Sequence, residues 1–130
     1  VRELMLNAIE SDGIEADVSG AFTPDQFQEL VKQLDVMFAI YPPERGNILQ
    51  GALPVKMFDA AANGVPSVVN SGCLMGEIAE AEEIGKAVAW NDAQPACDAL
   101  LELKNKTVEL TITSQREKEK FLSTVLPLID

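Results

Sequence analysis

The chain has 130 residues, 47% of them apolar and 24% charged, with a net charge of −11 and no histidine. A chain of that size is one domain or part of a larger protein, and it buries roughly two thirds of its unfolded surface. The acidic balance argues against binding a nucleic-acid backbone, and the missing imidazole removes histidine-based triads and the commonest zinc ligand.

Val1, Leu4, Met5, Ala8 and Ile9 fall at helical spacing, so the chain opens on an amphipathic helix that stops before Gly13. It opens in mid-pattern and without an initiator methionine, which suggests a processed or truncated chain. Ile14 to Ser19 alternates apolar and polar residues, as a short strand does. In "FTPDQF", Thr23 is a strong N-cap, Pro24 suits the first helical position and Gln26 completes a capping box. Phe27, Leu30, Val31 and Leu34 form the apolar stripe of that helix, which Asp35 closes. "VMFAIYP" then reads as a strand without alternation, the pattern of a parallel strand covered on both faces.

"PPERGNILQG" is a loop by its prolines and glycines. A helix follows over about Val55 to Asn63, then a strand over Pro66 to Ser71, a helix over Met75 to Glu82 and a strand over Gly85 to Trp90. "ND" caps a helix from Ala93 to Leu103, with Cys97, Leu100 and Leu101 expected inward. Thr107 to Thr113 alternates like a strand and is left open. Phe121, Leu122, Val125 and Ile129 recur as on a final helix. Five of the ten basic residues lie between Lys104 and Lys120, mixed with acids as on a solvated helix face.

Helices alternating with strands over short connections predict a parallel sheet with helices on both faces. Ligands of such sheets bind outside the carboxyl ends of the strands, here Gly20 to Pro24, Tyr41 to Pro54 and Ser71 to Gly76. No apolar run approaches the ~20 residues that span a bilayer, and no signal peptide is visible. Cys73 and Cys97 have no metal-ligand spacing around them. Both are expected as small buried residues in a reduced, cytoplasmic compartment.

The stretch "ALPVKMFDAAANGVPSVVNSG" is the most patterned of the chain. The first N–H groups of its helix make an anion site at the loop end of the sheet. Gly51 and Ala52 leave room for a ligand beside the backbone. A cation in the first turn opposes the helix dipole at a cost of a few tenths of a kcal/mol, up to ~1. Lys56 therefore makes sense beside a bound anion such as a diphosphate; a surface lysine lying over apolar neighbours would equally explain it. Asp59 is a mediocre helix former among alanines. It is either an acceptor for a hydroxyl pair such as a ribose diol, or a solvent-facing acid.

The run "LPVKMFDAAANGVPSVVNSG" resembles the C-terminal, nucleotide-sugar-binding domain of GT-B glycosyltransferases of the retaining, family-4-like class, whose pattern is P-x-K-x-x-E-x-x-A-x-G-x-P-V-V. "SGAFTPDQFQELVKQLDVMFAIYP" and "GEIAEAEEIGKAVAWNDAQPACDALLEL" resemble the segments on either side, so the likeness covers about residues 14 to 103. It implies that residues 1–130 are a single, partial domain with a Rossmann-like sheet, the C-terminal half of a GT-B fold truncated at its N-terminus. The implied activity is transfer of a sugar from a nucleotide-sugar to an acceptor hydroxyl, in glycan or polysaccharide biosynthesis. No metal and no cofactor beyond the nucleotide-sugar donor is implied. The acceptor, a sugar or lipid-linked glycan, would be bound through the missing N-terminal domain.

By the same resemblance, Asp59 would hold the ribose hydroxyls. Leu53, Pro54 and Val55 would face the diphosphate, with Lys56 beside it, and Gly20, Ala21 and Phe22 would lie near the nucleobase. Asp59 stands where the family has glutamate, and Gly51 stands at the position of the family's first acid. Glu44 is near but out of register. No candidate for a catalytic base is visible. Two other readings stay open: a related nucleotide-sugar epimerase or hydrolase, and a non-catalytic nucleotide-binding or interaction domain.

Overall fold

The computed structural model describes residues 2–129. Its elements in chain order are α1 (Arg2–Ser11), α2 (Pro24–Val31), β1 (Met37–Ala39), α3 (Val55–Ala62), β2 (Ser67–Asn70), α4 (Leu74–Ala81), β3 (Gly85–Val88), α5 (Ala93–Leu103) and α6 (Ser114–Ile129). The three strands form one parallel sheet in the order β1-β2-β3. Phe38 lies opposite Val68, and Val68 opposite Lys86. This is an α/β fold with helices on both faces of a small parallel sheet.

Two successive crossovers of the same hand, moving one way across a sheet, put their helices on the same face. Accordingly α3 and α4 share a core with one face of the sheet, centred on Met57, Met75, Val69 and Ile84. On the other face Val68 and Val88 pack against Ala99 and Leu103 of α5. α2 joins the α3 side, where Val31 meets Met37, Ala60 and Val65, with Phe27 packed against them. Gly76 is required by close approach: a Cβ there would run into the carbonyl of Asn70. α4 thus starts directly on the end of β2.

Local chemistry explains where the helices begin. Thr23 and Gln26 form the expected reciprocal box, with the Gln26 N–H donating to Thr23 Oγ1 at 3.3 Å and the Thr23 N–H to Gln26 Oε1 at 2.9 Å. Asp92 accepts from the Gln94 N–H at 3.2 Å and opens α5.

Several expectations are corrected. Ile14 to Ser19 is not a strand: it is exposed chain apart from half-buried Val18, and it pairs with no ladder. Alternation alone does not supply the neighbour that a strand needs. α5 turns its other side inward, so Ala99 and Leu103 are buried while Cys97 and Leu101 face outward. Only Cys73 is a buried thiol. β1 is covered on one face only. α5 sits over β2 and β3, which leaves Phe38 52% exposed. α2 ends at Val31, short of Asp35, and Leu30 and Leu34 of its predicted stripe remain exposed.

Thr107 to Thr113 is extended without strand pairing. Its Val108 N–H donates to the Gly64 carbonyl at 3.1 Å, and Val108 and Leu110 pack against the larger core. α6 is the expected final helix. Among the described residues, no helix is long and apolar enough to cross a membrane.

Candidate functional site

The carboxyl end of β1 runs straight into the loop that precedes α3. The ladder stops at Ala39 opposite Val69, yet the pairing continues by other means. Asn70, at the end of β2 and only 3% exposed, gives its whole side-chain amide to the backbone of Tyr41. Its Oδ1 accepts from the Tyr41 N–H at 2.8 Å, and its Nδ2 donates to the Tyr41 carbonyl at 2.7 Å. The side chain imitates one more rung of sheet and holds Tyr41 in place. Cys73 supports the same corner, with Sγ donating to the Asn70 carbonyl at 3.4 Å.

Two cations gather at Tyr41. Lys56 Nζ lies 4.8 Å from the ring centroid and Arg45 Cζ 5.7 Å from it. Tyr41, Arg45, Asn47, Ile48, Ala52, Leu53 and Pro54 line one concavity of about 280 Å³ at this end of the sheet. The loop is folded by its own turns. The Arg45 N–H donates to Pro42, the Ile48 N–H to Arg45, and the Ala52 N–H to Asn47, each at 3.0 Å. Ile48, 5% exposed, anchors the loop in the core.

Lys56 and Asp59 stand one turn apart on α3, where opposite charges often pair. Here they do not. Lys56 Nζ instead donates to the Phe38 carbonyl at 3.3 Å, which covers part of the free edge of β1. The half-buried Asp59 carboxylate makes no hydrogen bond or ion pair among the described residues; its backbone carbonyl accepts from Asn63 Nδ2 at 2.8 Å. Leu53 and Pro54 line the concavity beside Tyr41, whereas Val55 projects outward and is 71% exposed.

Gly20, Ala21 and Phe22 line a different concavity of about 550 Å³, together with Asp17, Asp25, Gln26 and residues along α2. Phe22 stacks on Phe27 with ring centroids 5.4 Å apart. No residue lines both concavities, so the two groups of site residues expected from the sequence stand as separate surfaces. Gly51 has a φ of +91°, a conformation strained for any side chain, and the turn before α3 therefore favours glycine over an acid.

Reading the sequence pointed to the loop Tyr41 to Pro54 as a whole without singling out Tyr41 or Arg45, and it missed Asn70. Asn70 carried a signal, since an amide ending the apolar run "PSVVN" needs partners once buried. Chemically, the arrangement offers two cations, an aromatic wall and an uncommitted carboxylate. Among the described residues there is no group of three or more metal-ligating side chains. No protein-family model matches this chain, and comparison with curated proteins and with solved structures finds no significant similarity.

Proposed function

We propose that this chain is the donor-binding part of a nucleotide-sugar-dependent glycosyltransferase with a Rossmann-like, GT-B-type sheet, working in the cytoplasm. The observation that carries the reading is a pair of charges on α3 that no opposite charge meets among the described residues. Lys56 and Asp59 share one side of a helix that starts at the carboxyl end of a parallel sheet, and neither answers the other's charge. The sequence likeness around "LPVKMFDAAANGVP" supports the same assignment.

In this reading Asp59 accepts hydrogen bonds from the ribose diol of the donor. Lys56 and the first N–H groups of α3 stabilise the negative charge that grows on the diphosphate as its bond to the sugar breaks, which is electrostatic catalysis. The acceptor hydroxyl, and the base that takes its proton, come from outside this chain. The conformation of Gly51 favours a second reading, a domain that binds nucleotide without transfer, because the position of the family's first acid holds a turn that disfavours a carboxylate.

Titration of UDP, GDP, ADP and TDP, read by amide shifts, tests the site. One nucleotide is expected to shift residues 52–59 selectively, and shifts at 20–22 as well would show that its base reaches the second concavity. Asp59→Ala should weaken that nucleotide by about 1.5–3 kcal/mol, roughly ten- to a hundredfold, with little change in Tm. An equal loss of stability would make Asp59 a structural acid. Product analysis with the whole protein separates transfer from epimerisation, hydrolysis and binding alone.

A further inference from the structure

We propose that Arg45 is a second anion-binding residue of this site, and that with Lys56 it forms a two-cation clamp for a diphosphate group. This rests on the donor-site reading above and adds to it a residue outside the α3 motif. The motif residues all lie on or just before one helix, whereas Arg45 is delivered by the loop after β1.

The case begins with charge. In a chain of net charge −11, only Lys32, Lys86, Lys106 and Arg116 meet a carboxylate among the described residues. Of the six cations that meet none, Arg45 and Lys56 are the two that converge on the ring of Tyr41. Two like charges brought to one ring repel each other. The ring's negative face offsets part of that cost, and an anion bound by both would offset far more.

The backbone that delivers the two cations is fixed by the fold. Asn70 pins the Tyr41 backbone, the Pro42–Arg45 turn sets the approach of Arg45, and buried Ile48 anchors the loop behind it. The guanidinium fork can bind two oxygens of one phosphoryl group, and the compact ammonium of Lys56 can neutralise the next. A diphosphate, with two adjacent charged groups, fits such a pair better than a single phosphate does. Arg45 and Tyr41 line one concavity with Leu53 and Pro54, the residues just ahead of α3.

The test is calorimetric titration of inorganic pyrophosphate and inorganic phosphate into the wild-type chain, Arg45→Gln and Lys118→Gln, with nucleoside diphosphates titrated in parallel. Arg45 is exposed, so the substitution leaves the fold intact, and unchanged Tm verifies this. Pyrophosphate is expected to bind the wild type more tightly than phosphate. Arg45→Gln should weaken pyrophosphate about tenfold or more, and Lys118→Gln, on α6, should leave it unchanged. Equal affinity in the wild type and Arg45→Gln, no pyrophosphate binding, or an equal loss in Lys118→Gln would each overturn the clamp. If a nucleoside diphosphate binds and Arg45→Gln does not weaken it, the clamp falls and the donor site stands. If pyrophosphate behaves as expected but no nucleoside diphosphate binds more tightly than it does, the clamp stands and the donor reading falls.

Discussion

α3 and α6 both carry apolar residues at helical spacing, and the shorter of the two is the one that is buried. α3 has 8 residues and buries Met57, Ala60 and Ala61. α6 has 16 residues and buries none, with Phe121 62% exposed. The difference lies in what the chain does on either side. α3 connects two adjacent parallel strands, so it must lie across them, and its apolar side meets the sheet whatever its intrinsic helix propensity. α6 follows α5 and, among the described residues, joins no two strands of the sheet. It is tied down at its start by Arg116, whose Nη2 donates to Glu82 Oε1 at 2.7 Å and whose Nη1 donates to Glu82 Oε2 at 2.9 Å. Thr111 Oγ1 donates to the same carboxylate at 2.9 Å. Amphipathicity makes a helix able to pack; its place in the chain decides against what.

The strongest break of this contrast is Met57→Ala. The side chain is fully buried between α3 and the sheet, and its loss is expected to cost about 2–5 kcal/mol in denaturant unfolding. A cost below ~1 kcal/mol would mean that the core under α3 is loose. Next comes Asn70→Ala, which leaves the N–H and carbonyl of Tyr41 without their partner at the end of the sheet. A loss of about 1–3 kcal/mol is expected, together with faster amide exchange at Tyr41 and along the loop to Ile48. Unchanged exchange there would show that the loop holds itself.

On α6, Phe121→Ala should change stability by no more than about 0.5 kcal/mol. A larger loss that grows with protein concentration would reveal that α6 is covered in solution by another copy. The smallest effect is a titration. The Arg116 and Thr111 hydrogen bonds, with the Arg116 charge, hold the Glu82 carboxyl down to about 2 from its ordinary value of 4.5. Because the folded value is the lower one, this contact favours the folded state above about pH 4.5, and that contribution disappears as the pH falls through about 2. Arg116→Gln should return the Glu82 carboxyl toward its ordinary value in an NMR pH titration. A value that stays near 2 would place the cause elsewhere.

The helix starts and the order of elements were legible in the residues because capping and periodicity act within a few positions. Thr23 with Gln26 and Asp92 with Gln94 are contacts of three and two residues. The strand expected at Ile14 to Ser19 and the inward placing of Cys97 failed for a common reason. Each depends on a partner surface that local pattern does not specify. In the candidate site, Lys56 and Asp59 could be picked out because they interrupt a short apolar helix. The loop holding Tyr41 and Arg45 could be picked out but not their roles, and the amide of Asn70 signalled a need for partners without naming them, since Asn70 meets Tyr41 across 29 positions.

The sequence by itself determined the alternation of helices with strands from α2 to α5 and the capped starts of those two helices, since these follow from short-range backbone chemistry. Only the tertiary structure decided that α3 and α4 share one face, that the other face of β1 stays open at Phe38, and that two unpaired cations converge on one tyrosine ring. Crossover handedness and the packing of distant segments act over tens of residues, where no local pattern carries the information.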